Sequence, residues 1–152
     1  MDYIELLDNY GAIIEKDLKS QLDKMARDGQ EYHPFLGDVY DATREFVLRS
    51  GRRLGACSTL IVYGGYTDQI DERIVRVCSA MELYRHSILI HDDIVDAEEQ
   101  RRGGDTLHKT LGKGLDDRFG VGSALFAGNI LYAKALESAL DSGFDEKNFW
   151  MQ

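Results

Sequence analysis

Apolar residues recur at steps of three and four along almost the whole chain, the period of helices with one buried face. Ile4, Leu7, Ile14, Leu18, Leu22 and Met25 mark a first amphipathic helix, predicted to stop near Gly29. Phe35, Val39, Ala42 and Phe46 mark a second, which begins beside Pro34 and ends near Gly51. A proline suits a first turn, where the missing N–H would have no intrahelical acceptor. A third helix is predicted from about Arg53 to Tyr63, ending at Gly64-Gly65. Thr67 and Asp68 have the chemistry to cap a fourth, which runs from about Ile70 to Asp96 through Ile74, Val77, Met81, Tyr84 and Ile88. The glycine-bearing stretch from Gly103 to Gly114 is predicted to be mostly loop. A fifth helix then places Val121, Leu125, Gly128, Leu131 and Ala135 on one face. Phe149-Trp150-Met151 has the character of the start of another element. No alternating strand pattern competes, so the expected class is all-α, a helical bundle without internal repeats or long linkers.

Composition narrows the chemistry. With 152 residues, 43% of them apolar, the chain can bury a core. Net charge is −9, from 27 acidic and 18 basic residues, which argues against nonspecific nucleic-acid or anionic-membrane binding. A phosphate-bearing ligand would need a metal or a local basic cluster. Cys57 and Cys78 lie in apolar stretches without metal-ligand spacing, as buried free thiols of a reducing compartment do. The acidic start Met1-Asp2-Tyr3-Ile4-Glu5 lacks a signal-peptide layout. No run of about 18 apolar residues is present. The expectation is a cytoplasmic protein with no transmembrane segment.

The segment Asp92-Asp93-Ile94-Val95-Asp96 carries the strongest chemical signal. On a helix Asp92 and Asp96 share a face, with Asp93 rotated aside. Two aspartates one turn apart repel unless a cation sits between them. Mg²⁺ fits, because it takes one or two carboxylates and completes its shell with water and phosphate oxygens. A solvated acidic helix end would look similar, but the preceding Ile88-Leu89-Ile90 is strongly apolar and points to a lined cavity. Just beyond, Arg101-Arg102-Gly103-Gly104 offers two bidentate phosphate donors at a turn. These arginines could instead merely offset Glu98 and Glu99. Upstream, Ser50-Gly51-Arg52-Arg53 places another arginine pair at a helix start, where backbone N–H groups favour anions.

Taken together in this order, the three segments resemble the trans-isoprenyl diphosphate synthases, or polyprenyl synthetases, over roughly residues 35 to 140. The first aspartate-rich motif of that family matches Asp92-Asp93-Ile94-Val95-Asp96, followed at the usual distance by Arg101-Arg102-Gly103. Its Gly-Gly-Lys-Arg segment matches Ser50-Gly51-Arg52-Arg53-Leu54, and a later Ala-Gly-Asp segment matches Ala127-Gly128-Asn129. The resemblance implies the N-terminal half of an isoprenoid-synthase-type bundle, with residues 1–152 as part of a single domain. It implies Mg²⁺-dependent joining of an allylic diphosphate to isopentenyl diphosphate. Asp92 and Asp96, with Asp93, would be metal ligands. Arg101 would contact the allylic diphosphate; Arg52, Arg53, Arg85 and Arg102 would serve the isopentenyl diphosphate. Residues one and two turns before the first aspartate, here Tyr84, Ser87 and Ile88, would floor the cavity. Tyr84 would be the floor itself, with geranylgeranyl as the expected product.

Departures from the family pattern matter as much. Arg52 replaces a lysine and keeps its charge, whereas Gly55 replaces an arginine and Arg85 a histidine. Arg85 lies two turns before Asp92 on the same face, placed to restore the cation lost at Gly55. Unchanged binding of isopentenyl diphosphate by Arg85→Ala would refute that. Asp105 and Asn129 stand in for Pro and Asp. The family's second aspartate-rich motif is absent from this sequence. Turnover is therefore expected to need further sequence or an oligomeric partner, homo- or heteromeric, that supplies it. The alternative is a non-catalytic subunit that stabilises or tunes a prenyl synthase. A di-iron carboxylate site fits poorly, because Glu82 and His86 are four apart and the pair occurs once. A terpene cyclase would share the aspartates but not the arginine segments.

Overall fold

The computed structural model describes residues 2–49, 51–67 and 69–144. The expected features at Ser50, Asp68 and Phe149-Trp150-Met151 lie outside the described residues. In chain order the elements are α1 (Tyr3–Tyr32), α2 (Pro34–Leu48), α3 (Leu54–Gly64), α4 (Glu72–Val95), β1 (Gln100–Arg101), β2 (Gly104–Asp105), α5 (Leu107–Gly112) and α6 (Asp117–Leu140). The class is all-α, as expected, with α4 central: it packs on α1, α3 and α6.

Gly29 does not end α1. The helix passes through it, and the glycine makes room for the Tyr40 ring of α2: a Cβ there would lie 2.5 Å from Tyr40 Cδ2. The stop comes at His33, which is extended (φ −164°) ahead of Pro34, as a residue before proline prefers. His33 also starts α2, where its Nδ1 accepts from the Phe35 N–H at 3.1 Å. The cap of α4 is Asp71 rather than Thr67: its carboxylate accepts from the N–H groups of Arg73 and Ile74. Thr67 instead closes a turn, its hydroxyl accepting from Gln69 N–H.

Two apolar clusters hold the bundle. One joins Leu18, Phe46, Val47, Leu83, Ile90 and Leu131; the other joins Leu7, Ile14, Leu60, Ile74 and both cysteines. Cys57 and Cys78 are free and buried, and burial pushes the Cys78 thiol up to about 12. Such thiols are unreactive packing groups.

The expected face of α6 is met only in part. Gly128, Leu131 and Ala135 are buried, but Leu125 points outward at 41% exposure. Small residues take its place inside: Gly120, Ala124 and Ala127. A Cβ at Gly128 would clash with the His91 imidazole of α4, and one at Gly120 with the His108 carbonyl of α5. Several larger apolar side chains of α6, including Phe126, Tyr132 and Leu136, are left facing out. By length and composition alone α6 is apolar enough to cross a membrane, with an 18-residue window of mean hydropathy 1.2, contrary to the sequence expectation. A core helix passes the same test, and α6 packs closely on α4 and α5.

The stretch expected to be loop is structured. Gln100 pairs with Asp105 and Arg101 with Gly104 in an antiparallel hairpin, and α5 follows with Leu107 buried. Two-residue strands and a six-residue helix are too short for periodicity to reveal.

Candidate active site

Tyr84, Ile88, Asp92 and Asp96 follow at four-residue steps and form one stripe along α4. Tyr84 and Ile88 are exposed at 42% and 48%, and the Asp92 side chain is half exposed. Asp96 caps the helix with backbone still helical (φ −83°, ψ −2°), and its N–H donates to the Asp92 carbonyl at 2.8 Å. The chain then turns sharply. Ala97 adopts φ 53°, its N–H donates to the Ile94 carbonyl, and the Glu98 N–H donates to the Asp93 carbonyl, a Schellman closure. Asp92 and Asp96 thus stand over the negative end of the α4 dipole, with no basic residue in its last turn. This arrangement is unfavourable for the bare protein and favours a bound cation.

Asp93 points the other way. It is 1% exposed, and Arg101 Nε and Nη2 each lie 2.5 Å from its Oδ1. Its Oδ2 has no hydrogen-bond partner. Arg101 Nη2 also reaches Asp92 Oδ2 at 3.5 Å. Of the expected metal set, Asp92 and Asp96 lie on the outward edge and Asp93 lies inside. Asp93 anchors an arginine, and among the described residues no three metal-ligating side chains converge. The Asp92/Asp96 edge fits Mg²⁺, an ion content with one or two carboxylates when phosphate oxygens and water complete its shell.

The two arginines after the aspartates sit on the hairpin. Arg102 (φ 52°) and Gly103 (φ 77°) form its two-residue turn, the positive-φ pair of a type I′ connection. Gly103 meets that demand easily; Arg102 adopts a conformation that L side chains disfavour. Gly104 is needed for a different reason. The Arg49 guanidinium packs against it, and a Cβ there would lie 2.7 Å from Arg49 Cζ. Arg49 Nη1 donates to the carbonyls of Arg101 (3.1 Å) and Asp105 (2.7 Å), while Glu45 holds its other edge. Arg49 therefore docks the hairpin onto α2. Sequence reasoning missed it; the doubled glycine was the available signal, since a two-residue turn requires only one of the pair.

Arg102 reaches back under the hairpin. Its Nη1 lies 3.3 Å from His86 Nε2, and a Cβ on Gly51 would sit 3.3 Å from its Cζ. Burial, then the charges of Arg85 and Arg53, push the Arg102 pKa below its usual value, though a guanidinium stays charged at neutral pH. Arg85 is 46% exposed and 4.0 Å from Glu82. Arg53 is largely buried, lying at the wall of a cleft with its Nε 3.8 Å from Glu15. It is 2% exposed, its Nη1 donates to the Val47 carbonyl, and it faces buried Glu82 at 3.5 Å. A buried charge persists only when paired, so Arg53 is an internal counterion. Arg52 remains exposed, beside a cleft of about 820 Å³ that α1 lines with Lys16, Lys19, Asp8 and Glu15.

Of the three residues expected to floor the cavity, Ser87 is turned inward, 2% exposed, with its hydroxyl donating to the Tyr84 carbonyl. Ile88 and Tyr84 stay on the open stripe. Tyr84 meets Tyr132 of α6, ring centroids 5.7 Å apart, so a second aromatic joins the expected floor from a helix the sequence did not implicate. His91 contacts the Leu125 carbonyl of α6, and His108 is buried, its carbonyl against Gly120 of α6.

Comparison with known proteins bears on the family and the fold. The family model for polyprenyl synthetase matches residues 38–148. A short chain isoprenyl diphosphate synthase of Methanocaldococcus jannaschii is 31% identical over 125 residues, covering 82% of this chain and 32% of that protein. A geranylgeranyl pyrophosphate synthase of Geoglobus acetivorans is 34% identical over 99 residues, 65% of this chain and 28% of that one. The crystal structure of geranylgeranyl pyrophosphate synthase from Corynebacterium glutamicum, complexed with isoprenyl diphosphate and magnesium, superposes with a TM-score of 0.82 at 25% identity. It covers 94% of this chain and 44% of its own. The chain thus spans about a third of the length of these curated relatives. An aspartate edge at the end of α4, an arginine hairpin docked over it and the match of family model and fold lead to one conclusion: the chain belongs to the polyprenyl synthetase family.

Proposed function

We propose that this chain forms the N-terminal part of a trans-prenyltransferase that joins an allylic diphosphate to isopentenyl diphosphate. One observation carries the proposal: an outward Asp92/Asp96 edge, reached by Arg101, tops an apolar stripe that descends through Ile88 to Tyr84 and Tyr132. Polar and apolar halves of an allylic diphosphate would meet matching surfaces there.

Asp92 and Asp96 would hold Mg²⁺, which when bound supplies positive charge to the departing diphosphate. Arg101, fixed by Asp93, would set its remaining donors toward the allylic diphosphate. Arg102, Arg85 and Arg52 would receive the isopentenyl diphosphate, while Arg53 would act from inside through Glu82. Ile88 and the two tyrosines would hold the hydrocarbon and keep water from the carbon that loses its diphosphate. The exposed apolar side chains of α4 and α6 are suited to burial by more protein. The second aspartate-rich motif would come from further sequence or from a partner in a homo- or hetero-oligomer. The buried free thiols fit a reducing compartment, the cytoplasm.

A second possibility, a non-catalytic subunit, draws support from Gly55. A Cβ there would meet nothing within 4 Å, so room for the family's arginine exists and is not used. The deciding experiment is a condensation assay with Mg²⁺, run on the chain alone and with partners that carry the second motif. Turnover that appears with a partner and is lost on Asp92→Ala supports catalysis by this chain. Turnover indifferent to Asp92→Ala supports the tuning role.

A further inference from the structure

We propose that His86 is a positioning residue: its unprotonated Nε2 accepts a hydrogen bond from Arg102 and holds that guanidinium facing the diphosphate. The inference rests on the proposed role of Arg102 and extends it to a side chain that touches no substrate.

The tautomer follows from the partners. His86 is 1% exposed, and its Nδ1 lies 2.7 Å from the Glu82 backbone carbonyl. A carbonyl can only accept, so Nδ1 carries the proton and Nε2 presents a lone pair. That lone pair faces Arg102 Nη1 at 3.3 Å, and a guanidinium can only donate. The two ring nitrogens are therefore matched to opposite partners, which fixes the ring as a one-way link. Phe46 fixes its plane, lying edge-on with centroids 6.2 Å apart. Burial and the surrounding arginines push the His86 pKa down to about 3, so the acceptor survives throughout the neutral range.

Two further features converge on the same guanidinium. Arg102 sits at φ 52°, a backbone conformation that aims its side chain under the hairpin at a cost in strain. Gly51 supplies no side chain where Arg102 Cζ packs. Its surroundings are strongly cationic. Arg53 and Arg85 both face Glu82, at 3.5 and 4.0 Å, and the charges of both act on Arg102. Left alone, mutual repulsion would drive Arg102 outward to solvent. A neutral acceptor behind it opposes that without cancelling the charge, which is what retention of an anion site requires. A carboxylate at position 86 would neutralise the site, and an aliphatic residue would release the arginine.

The test uses the full chain with inorganic diphosphate as the probe, without Mg²⁺ so that the aspartates do not contribute. Long-range ¹H–¹⁵N spectra of the free protein should show His86 as the Nδ1–H tautomer at pH 7; an Nε2–H ring would overturn the proposal whether or not any variant folds. Diphosphate binding should weaken about tenfold in His86→Phe, which keeps the ring but loses the acceptor. It should stay within about threefold in His86→Gln, whose amide oxygen can stand where Nε2 was. In an Arg102→Ala background His86→Phe should add nothing, because a residue that acts only through Arg102 has no effect without it. If Arg102→Ala itself leaves diphosphate binding unchanged, the proposed role of Arg102 fails and this inference with it. If Arg102→Ala weakens binding but His86→Phe does not, or weakens it equally in both backgrounds, the inference alone fails.

Discussion

Arg101→Ala should destabilise this protein far more than its partly exposed side chain suggests. The reason is Asp93, 1% exposed, whose Oδ1 is held by two Arg101 nitrogens and whose Oδ2 has no partner. Removing the guanidinium leaves a buried carboxylate with no counterion, a loss of about 3–5 kcal/mol. An exposed ion pair would cost under about 1 kcal/mol. Against a typical total stability of about 5–15 kcal/mol the larger figure is decisive. With a urea m-value of about 2 kcal/mol/M, the unfolding midpoint should fall by about 1.5–2.5 M. Asp93→Asn in the same chain is the control, because it removes the orphaned charge but keeps the size. The double variant should recover about 2 kcal/mol relative to Arg101→Ala. Arg49 holds the hairpin through backbone carbonyls, including that of Arg101, so docking of the turn should survive the substitution. A loss below about 1 kcal/mol for Arg101→Ala, or a double variant no more stable than the single, would refute the buried-pair reasoning.

Other expectations follow from the same geometry. Asp92→Asn should leave the urea midpoint unchanged or raise it slightly, since it removes an acid from the negative end of a helix dipole worth about 0.3–1 kcal/mol, while abolishing Mg²⁺-dependent diphosphate binding; a large destabilisation would show Asp92 to be structural. Acid should weaken the fold early. His86 titrates near 6.5 when unfolded but about 3 when folded, so the unfolded chain binds the extra proton and stability is lost as pH falls from about 6.5 toward 3. The loss from this group is about 2 kcal/mol at pH 5, the buried and likewise lowered His108 acts in the same direction, and urea midpoints in wild type and His86→Gln should differ in slope across that window. In a reconstituted enzyme Tyr84→Ala should lengthen the product, read by mass spectrometry; unchanged product length would remove the Tyr84–Tyr132 pair as the floor.

The helices and the aspartate edge were legible in the sequence because periodicity reports a buried face and i, i+4 spacing reports a shared one. Asp92 and Asp96 needed nothing more. Glycine was harder to interpret. Gly29 and Gly104 resemble a helix stop and a turn residue, yet each makes room for a ring or a guanidinium from another segment, as Gly128 does within its helix. The inward turns of Asp93, Arg53 and Ser87 were hidden for a related reason. Motif matching marks a residue as functional without saying which side of the helix it occupies, and these three side chains are buried. Glu82 and His86 suggested only a poorly fitting di-iron pair and Arg49 no motif, and their contacts exist only once α2, α4 and the hairpin meet.

The most direct test of the central claim is calorimetric titration of the chain with a non-hydrolysable allylic thiodiphosphate, with and without Mg²⁺, in wild type and in Asp92→Asn/Asp96→Asn. Binding should be strengthened at least tenfold by Mg²⁺ in the wild type and should lose that dependence in the double variant. Binding that ignores Mg²⁺, or a double variant that still responds to it, would contradict a metal-bridged diphosphate grip at the end of α4.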